Sequence, residues 1–336
     1  MRLAAVRETA PGETRVAVVP SVVGRLRACG LDVAVEPGAG LAAGWSDDDY
    51  AAAGATVDRD AAASSEVVVS VRPQARSRAT TISLTAGTPD IAGLAAYALE
   101  RVPRTSRAQG MDALTSQSLV AGYRGAIVAA ELLRRIVPRH TTAAGTIPRA
   151  EVVVLGAGVA GLEAIAILAR LGAHVLAYDV RASSPDEVRS VGATWLDLDL
   201  PPLDGDAGYA RELSADRSAT QRERLAPHVA AADVLLTTAA VPGRRAPVLV
   251  TRPMVEAMRA GSVVVDLAAE SGGNVEGVVA GSTVRIGGAR VWGGRDVAAQ
   301  LPGPASELYA ANVAAFVELW HADPDDEIVT AARVTA

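Results

Sequence analysis

Gly156, Gly158 and Gly161 stand at GxGxxG spacing, directly after the apolar run EVVVL and directly before a helical pattern. In a strand–turn–helix context each glycine has its own reason. Gly156 permits the tight turn, Gly158 lets the backbone approach a pyrophosphate, and Gly161 lets helix pack on strand. The pyrophosphate then sits at the helix N-terminus, at Gly158 and Val159, where free N–H groups and the positive dipole end favour an anion. Asp179 lies 18 positions beyond Gly161, ends the next strand pattern and is followed by Val180 and Arg181. That is near the spacing of the acid that bonds the ribose hydroxyls of a dinucleotide. A carboxylate there repels a 2′-phosphate, which favours NAD(H) over NADP(H), although Arg181 would soften the repulsion. A glycine-rich turn kept only for packing is the bland alternative.

Two later strand ends, TTAAVPG at 237–243 and DLAAESGGN at 266–274, fall where the nicotinamide ribose is expected, because ligands lie at the carboxyl ends of such strands. Thr238, Ala239, Ala240 and Glu270 are the candidate contacts; ordinary glycine-rich loops are the other reading. A cradle of this kind holds a hydride carrier without naming a reaction. The chain contains no lysine, so all 32 of its Lys-or-Arg positions are arginine. Arginine clamps anions but keeps its proton at any working pH. The four histidines, His140, His174, His228 and His321, share no motif with a carboxylate or serine. A lysine base is excluded and a histidine base is disfavoured.

The elements that must position these residues follow from hydrophobic periodicity. Short apolar runs (LAAV, DVAVE, EVVVSV, TTISL, then EVVVLG, HVLAYD, DVLLTT, SVVVDLA) alternate with helical patterns such as PSVVGRLRACG and SDDDYAAAGA. That alternation predicts βαβ units and parallel sheets. The expected fold is α/β, with two Rossmann-like, doubly wound parallel-sheet domains and a cleft between them. Residues 1–126 with 295–336 form the first domain and 127–294 the NAD(H)-binding one. A helix is expected over 116–137, ending before Pro138. The stretch 200–219 reads as a mobile surface loop, and ASELYAANVAAFVELW as an amphipathic helix returning to the first domain. At 336 residues, half of them apolar, two cores can form. A net charge of −6 argues against a nucleic-acid partner. No run reaches the roughly 20 apolar residues of a membrane span, and the start lacks a secretory pattern, so a soluble cytoplasmic protein is expected. Cys29 is the single cysteine, so neither an internal disulfide nor a thiol metal cluster can form, and no metal is expected.

RETAPGETRVAVVP, VEPGAG and TTAAGTIPRAEVVVLGAGVAGL resemble the nicotinamide nucleotide transhydrogenase and alanine dehydrogenase family, and the likeness covers most of the chain. PRTSRAQGMDALTSQS (103–118), GYAREL (208–213), TTAAVPGRRAPVLVT (237–251) and VVVDLAAESGGN (263–274) resemble the NAD(H)-binding component of the proton-translocating transhydrogenase. The resemblance implies that Arg104, Gln109 and Asp112 hold the nicotinamide ring, helped by Thr115, and that Tyr209 closes over bound nucleotide. An arginine fixed by a carboxylate, with an amide between them to bond the ring carboxamide, suits that task; tying down a surface loop is the alternative. The resemblance also implies membrane and NADP(H)-binding subunits on separate chains, which would place this chain peripherally on the cytoplasmic face, and a homodimer, with the helix over 116–137 as a candidate contact.

The alanine dehydrogenase branch needs a proton acceptor beside its substrate, because amino-acid oxidation loses a proton as well as a hydride. That branch uses a lysine and a histidine, where this chain offers Arg72 and Ser83. Arg15, which clamps the substrate carboxylate there, occurs in both branches. Glu270 falls where alanine dehydrogenases place a catalytic aspartate, and Asp296 stands where the family usually has asparagine. Hydride passage between two nicotinamides moves no proton and needs positioning only. The leading expectation is therefore transfer between NAD(H) here and NADP(H) on a partner chain. A stand-alone NAD-dependent dehydrogenase acting on a small carboxylated substrate is the alternative. It would use Arg15 and Arg72 as anion clamps and Asp112, Glu270 or Asp296 as proton acceptor. A non-catalytic NAD(H)-binding module is the third reading.

Overall fold

Runs of Val, Ile and Ala too short for helices become strands, and in both halves of the chain they line up in the same order. The computed structural model describes residues 1–74, 79–85, 95–203, 214–240 and 244–334. The chain divides into unit 1, Met1–Val120 with Ala298–Ala336, and unit 2, Ala121–Val297.

Unit 1 is built on β1 (Arg2–Ala5), β2 (Asp32–Val35), β3 (Thr56–Val57), β4 (Val67–Val69), β5 (Thr80–Ser83) and β6 (Ala96–Ala98), with a closing strand Arg333–Val334. The spatial order is 3-2-1-4-5-6, and the closing strand pairs antiparallel with β6 at the edge. The order reverses between β1 and β4, which opens a crevice at their carboxyl ends. Between strands lie α1 (Pro20–Ala28) and α2 (Asp47–Ala52). Ser46 and Asp49 form a reciprocal capping box that starts α2. The helix Pro302–Ala322 belongs to this unit as expected: Tyr309 and Phe316 are fully buried in its core, and the Tyr309 hydroxyl donates to the Ser70 carbonyl at 2.9 Å.

α3 (Ala113–Leu132) carries the division between the units in its sequence. The expected helix over 116–137 is displaced towards the N-terminus. Asp112 caps α3 by accepting from the Thr115 N–H at 2.9 Å. After Leu132 the chain leaves helix ahead of Pro138, whose ring disfavours helical geometry at Val137. Arg135 fixes the departing segment by donating to Asp233 and to the Pro148 carbonyl, both at 2.8 Å.

Unit 2 contains a small exposed hairpin, β7 (His140–Thr142) and β8 (Gly145–Ile147). Its main sheet comprises β9 (Glu151–Leu155), β10 (His174–Tyr178), β11 (Thr194–Trp195), β12 (Val234–Thr237), β13 (Val263–Asp266), β14 (Thr283–Ile286) and β15 (Ala289–Gly293). The order is 11-10-9-12-13-15-14, parallel except for the β14–β15 hairpin. Along β9, Val152 and Val154 enter one apolar cluster while Val153 and Leu155 enter the other. A strand covered on both faces has no polar side to show, which is why these runs are continuously apolar. α4 (Val159–Arg170) follows β9. The surface loop expected over 200–219 is shorter at its far end. Ser214 accepts from the Arg217 N–H at 3.2 Å and starts the helix Ala215–Ala231. Residues 204–213 of that stretch lie outside the described residues.

Candidate functional site: the glycine turn and the polar clusters

The three glycines do three different jobs. Gly156 has φ +102°, and a Cβ there would meet Thr238 Oγ1 at 2.5 Å. Thr238 in turn donates to the Gly156 carbonyl at 3.1 Å, tying the end of β12 to the turn. A Cβ on Gly161 would collide with the Gly156 carbonyl, so that glycine is demanded by helix–strand contact. Gly158 is different. Its backbone is extended, open to any residue, and a Cβ there would meet nothing within 4 Å. Nothing in the fold itself requires its smallness, which leaves a surface that a ligand backbone can approach. Gly158 is also the N-cap of α4 and offers no side-chain acceptor to the N–H groups of Val159 and its neighbours. Uncapped donors behind an open backbone fit the pyrophosphate of a dinucleotide.

Asp179 follows β10 directly. Its Oδ2 accepts from the Ala157 N–H at 2.7 Å; its Oδ1 accepts from the backbone N–H of Arg181 at 3.0 Å and its Nε at 3.1 Å. A carboxylate oxygen with one such bond keeps a lone pair for a hydroxyl, and Oδ2 is that oxygen. Arg181 is held within this group, also donating to the Ala157 carbonyl at 2.8 Å and to Glu187 at 3.3 Å. The arginine that would soften the exclusion of a 2′-phosphate is thus tied to the acid itself. Val180 packs against the apolar cluster beneath. Tyr209 lies outside the described residues, as does the 241–243 part of the TTAAVPG stretch.

The other strand ends are braced by two residues that no sequence motif marks. Asp266, with no exposed surface, closes β13 and accepts from the N–H groups of Ala268 (2.9 Å), Asn274 (2.7 Å) and Val275 (3.0 Å). Burial raises its carboxyl pKa, while the three N–H groups pull the other way. The Asn274 amide donates to the Ala239 carbonyl at 2.7 Å and the Pro247 carbonyl at 2.8 Å, so the loops after β12 and β13 are one braced surface. Ala240, next along, is exposed. Glu270, also exposed, accepts from the Asp296 N–H at 2.9 Å. Asp296 has φ +44°, a conformation asparagine and aspartate tolerate best.

In unit 1, Asp112 carries both the helix cap and the link to Arg104. Thr115 Oγ1 donates to its Oδ2 at 2.6 Å, and Arg104 Nε lies 4.0 Å from the same oxygen. Gln109 sits exposed in the short helical turn Ser106–Met111 between them. The structure therefore brings Arg104, Asp112 and Thr115 together and leaves the Gln109 amide at the surface of the same turn.

Arg15 is only 5% exposed and is fully engaged. Its Nε and one terminal nitrogen donate to the two oxygens of Glu13 at 2.7 and 2.6 Å, and the other terminal nitrogen donates to Gln117 at 2.8 Å. Arg72 Nε reaches Glu13 as well, at 3.1 Å. Burial alone would raise the Glu13 pKa, but the bonds and charge of Arg15, then the charge of Arg72, hold it below the usual carboxylate range. Glu13 stands in plain view in GETR, yet a carboxylate two residues from an arginine reads as surface charge until the fold buries both. Glu8, nearby in the same crevice, is pushed up to about 7 by burial, despite accepting from the Val71 N–H; the Glu13 charge adds to the rise.

Residues 4–121 match the N-terminal domain of the alanine dehydrogenase/PNT family, and residues 125–334 match its C-terminal domain. The chain is 39% identical to an NAD(P) transhydrogenase subunit alpha of Rhodospirillum rubrum, over 100% of its own length and 96% of that protein. Its structure is similar to that of a transhydrogenase from Sinorhizobium meliloti, with a TM-score of 0.90, 40% identity and coverage of 100% and 98% of the two chains. It is also similar to an L-alanine dehydrogenase, with a TM-score of 0.83, 26% identity and coverage of 100% and 95%. The glycine turn, its strand-end acid and these matches along both halves place the chain in the alanine dehydrogenase/PNT family.

Proposed function

We propose that the protein is the NAD(H)-binding component of a transhydrogenase, positioning NAD(H) for hydride exchange with NADP(H) held on a partner chain. It is an oxidoreductase of the alanine dehydrogenase/PNT family that takes NAD(H). Bound NAD(H) supplies the hydride chemistry, and the chain's own residues bind, orient and shield. The N–H groups at Gly158 and Val159 take the pyrophosphate, and Asp179 takes the ribose hydroxyls and disfavours a 2′-phosphate. The Asp266–Asn274 brace holds Thr238, Ala239 and Ala240 as a firm edge for the second ribose. Arg104, steadied by Asp112, and Gln109 orient the nicotinamide carboxamide. Partner subunits on separate chains and a homodimer belong to the same reading. No helix among the described residues is long and apolar enough to cross a membrane, so attachment to one falls to those partners.

The observation that carries this reading over a small-acid dehydrogenase is the fate of Arg15. A substrate carboxylate needs a guanidinium to clamp it, and Glu13 and Gln117 already occupy all three nitrogens of Arg15. Glu13 also holds Arg72. With no lysine in the chain and Glu270 bonded to the Asp296 backbone, these groups offer neither a spare clamp nor a placed proton carrier. The test follows reduced nicotinamide by absorbance, with and without an NADP(H)-binding transhydrogenase domain. Exchange between NADH and an oxidised NAD analogue is expected only when that domain, loaded with NADP(H), is present. Reduction of NAD by an amino or hydroxy acid without any partner would overturn the proposal.

A further inference from the structure

The two sheets can be laid on one another strand for strand, and the correspondence reaches the residues beyond the strand ends. In unit 2, Leu155 pairs with Tyr178, and Asp179 follows and accepts from the N–H of Ala157 at 2.7 Å. In unit 1, Ala5 pairs with Val35, and Glu36 follows and accepts from the N–H of Arg7 at 2.8 Å. Arg7 stands two residues beyond β1, as Ala157 stands two residues beyond β9. Glu36 therefore occupies, in register and in hydrogen bonding, the place of the ribose-binding acid.

What differs is the phosphate end. Val6, Glu8 and Pro11 replace the three glycines, and no helix starts until Pro20. A pyrophosphate cradle is absent there, so any phosphate must be neutralised by side chains. A cavity of about 700 Å³ lies at this spot, lined by Arg7, Glu8, Thr9, Glu36, Pro37 and Arg59. It opens at the carboxyl ends of β1, β2 and β3, on the face where ligands of open α/β sheets gather, and its volume is in the range of small-molecule sites. Glu8 turns its oxygens to the Val71 and Arg72 N–H groups, which leaves Glu36 as the carboxylate suited to hydroxyls. Arg7 and Arg59 supply the cationic groups, and guanidinium is well matched to phosphate oxygens.

We propose that this cavity binds a ribonucleoside monophosphate, with Glu36 accepting from the ribose hydroxyls and Arg7 and Arg59 meeting the phosphate. The site is separate from the glycine turn and holds a mononucleotide, because the dipole and open backbone that a dinucleotide bridge needs are missing. No chemistry is performed there; occupancy is the effect.

Equilibrium dialysis of the full chain with radiolabelled AMP, at saturating NADH so that the glycine turn is filled, tests this. One further equivalent of AMP per chain is expected. Arg59→Ala and Glu36→Gln should each weaken it at least tenfold while leaving the NADH titration and the thermal midpoint unchanged. 2′,3′-Dideoxy-AMP should bind at least tenfold more weakly than AMP to the natural chain and nearly equally to Glu36→Gln. Three results would overturn the proposal: no AMP retained once NADH is saturating, AMP binding indifferent to both substitutions, or inorganic phosphate competing as well as AMP. The last would mean an unspecific anion patch. The NADH titration is read separately, so a failure of the cofactor assignment would show there and not be confused with any of these.

Discussion

Gly158→Ala separates what the fold needs from what the cofactor needs. A methyl at 158 meets nothing within 4 Å and sits on extended backbone, so its cost to the fold is that of an alanine N-cap, under about 1 kcal/mol. At Gly156 the same change forces an L side chain to φ +102° and brings its Cβ to 2.5 Å from Thr238 Oγ1. Left-handed strain of about 1–3 kcal/mol is then joined by a steric clash. At Gly161 the methyl meets backbone, with the Gly156 carbonyl carbon at 2.8 Å, and the α4–β9 contact must open. Thermal unfolding should rank the variants accordingly: Gly158→Ala within about 3 °C of the natural protein, the other two at least twice as far below it. NADH titration should invert that picture for Gly158→Ala, which stands where a pyrophosphate comes close, with affinity falling at least tenfold. Adding NADH should then raise its midpoint far less than it raises that of the natural protein. Full NADH affinity in a stably folded Gly158→Ala would refute the assignment of the turn.

Three further outcomes are expected. Asp179→Asn keeps a side chain able to bond the turn but lowers the charge facing the ribose; NADH affinity should fall about tenfold, a loss on the scale of one charge-assisted hydrogen bond, with discrimination against NADPH reduced in parallel fluorescence titrations. Arg104→Ala and Gln109→Ala should each slow hydride exchange more than they weaken NADH binding, and equal losses of both in stopped-flow and titration would count against a role in orienting the ring. Glu8, raised from 4.5 to about 7 by burial, binds its proton more tightly folded than unfolded, so its stabilising contribution is complete below about pH 4.5 and is lost as pH rises through 7. Glu8→Gln should therefore flatten the fall in denaturant-derived stability between pH 5 and 8, by on the order of 2 kcal/mol once its partial exposure is allowed for.

Much of the fold is legible in the residues, and the exceptions have physical causes. Buried parallel strands such as Glu151–Leu155 and Val263–Asp266 show as unbroken apolar runs because both faces are covered. The Thr283–Gly293 hairpin lies outside the expected strand set, although its Gly287-Gly288 turn between alternating runs is a recognisable signal. Ala96–Ala98 carries no β-branched residue and becomes a strand only through its neighbours. At the site, GxGxxG and Asp179 announce themselves by spacing. Asp266, Asn274 and Glu13 do not, since their partners are backbone groups or arginines brought near only by folding. Arg15 shows the limit most clearly. Its identity suggests an anion clamp, while its neighbour Glu13, buried with it, turns it into an internal ion pair.

The central claim is that this chain presents a nicotinamide for direct transfer and holds no proton carrier for anything else. NADH deuterated at the transferring C4 position, mixed with the protein and an NADP⁺-loaded partner domain in ordinary water, tests it most directly. The account predicts that the deuterium appears undiluted in the NADPH formed, with a rate that solvent D₂O leaves unchanged. Hydrogen from solvent in that product, or oxidation of NADH coupled to a small keto acid in the partner's absence, would contradict it.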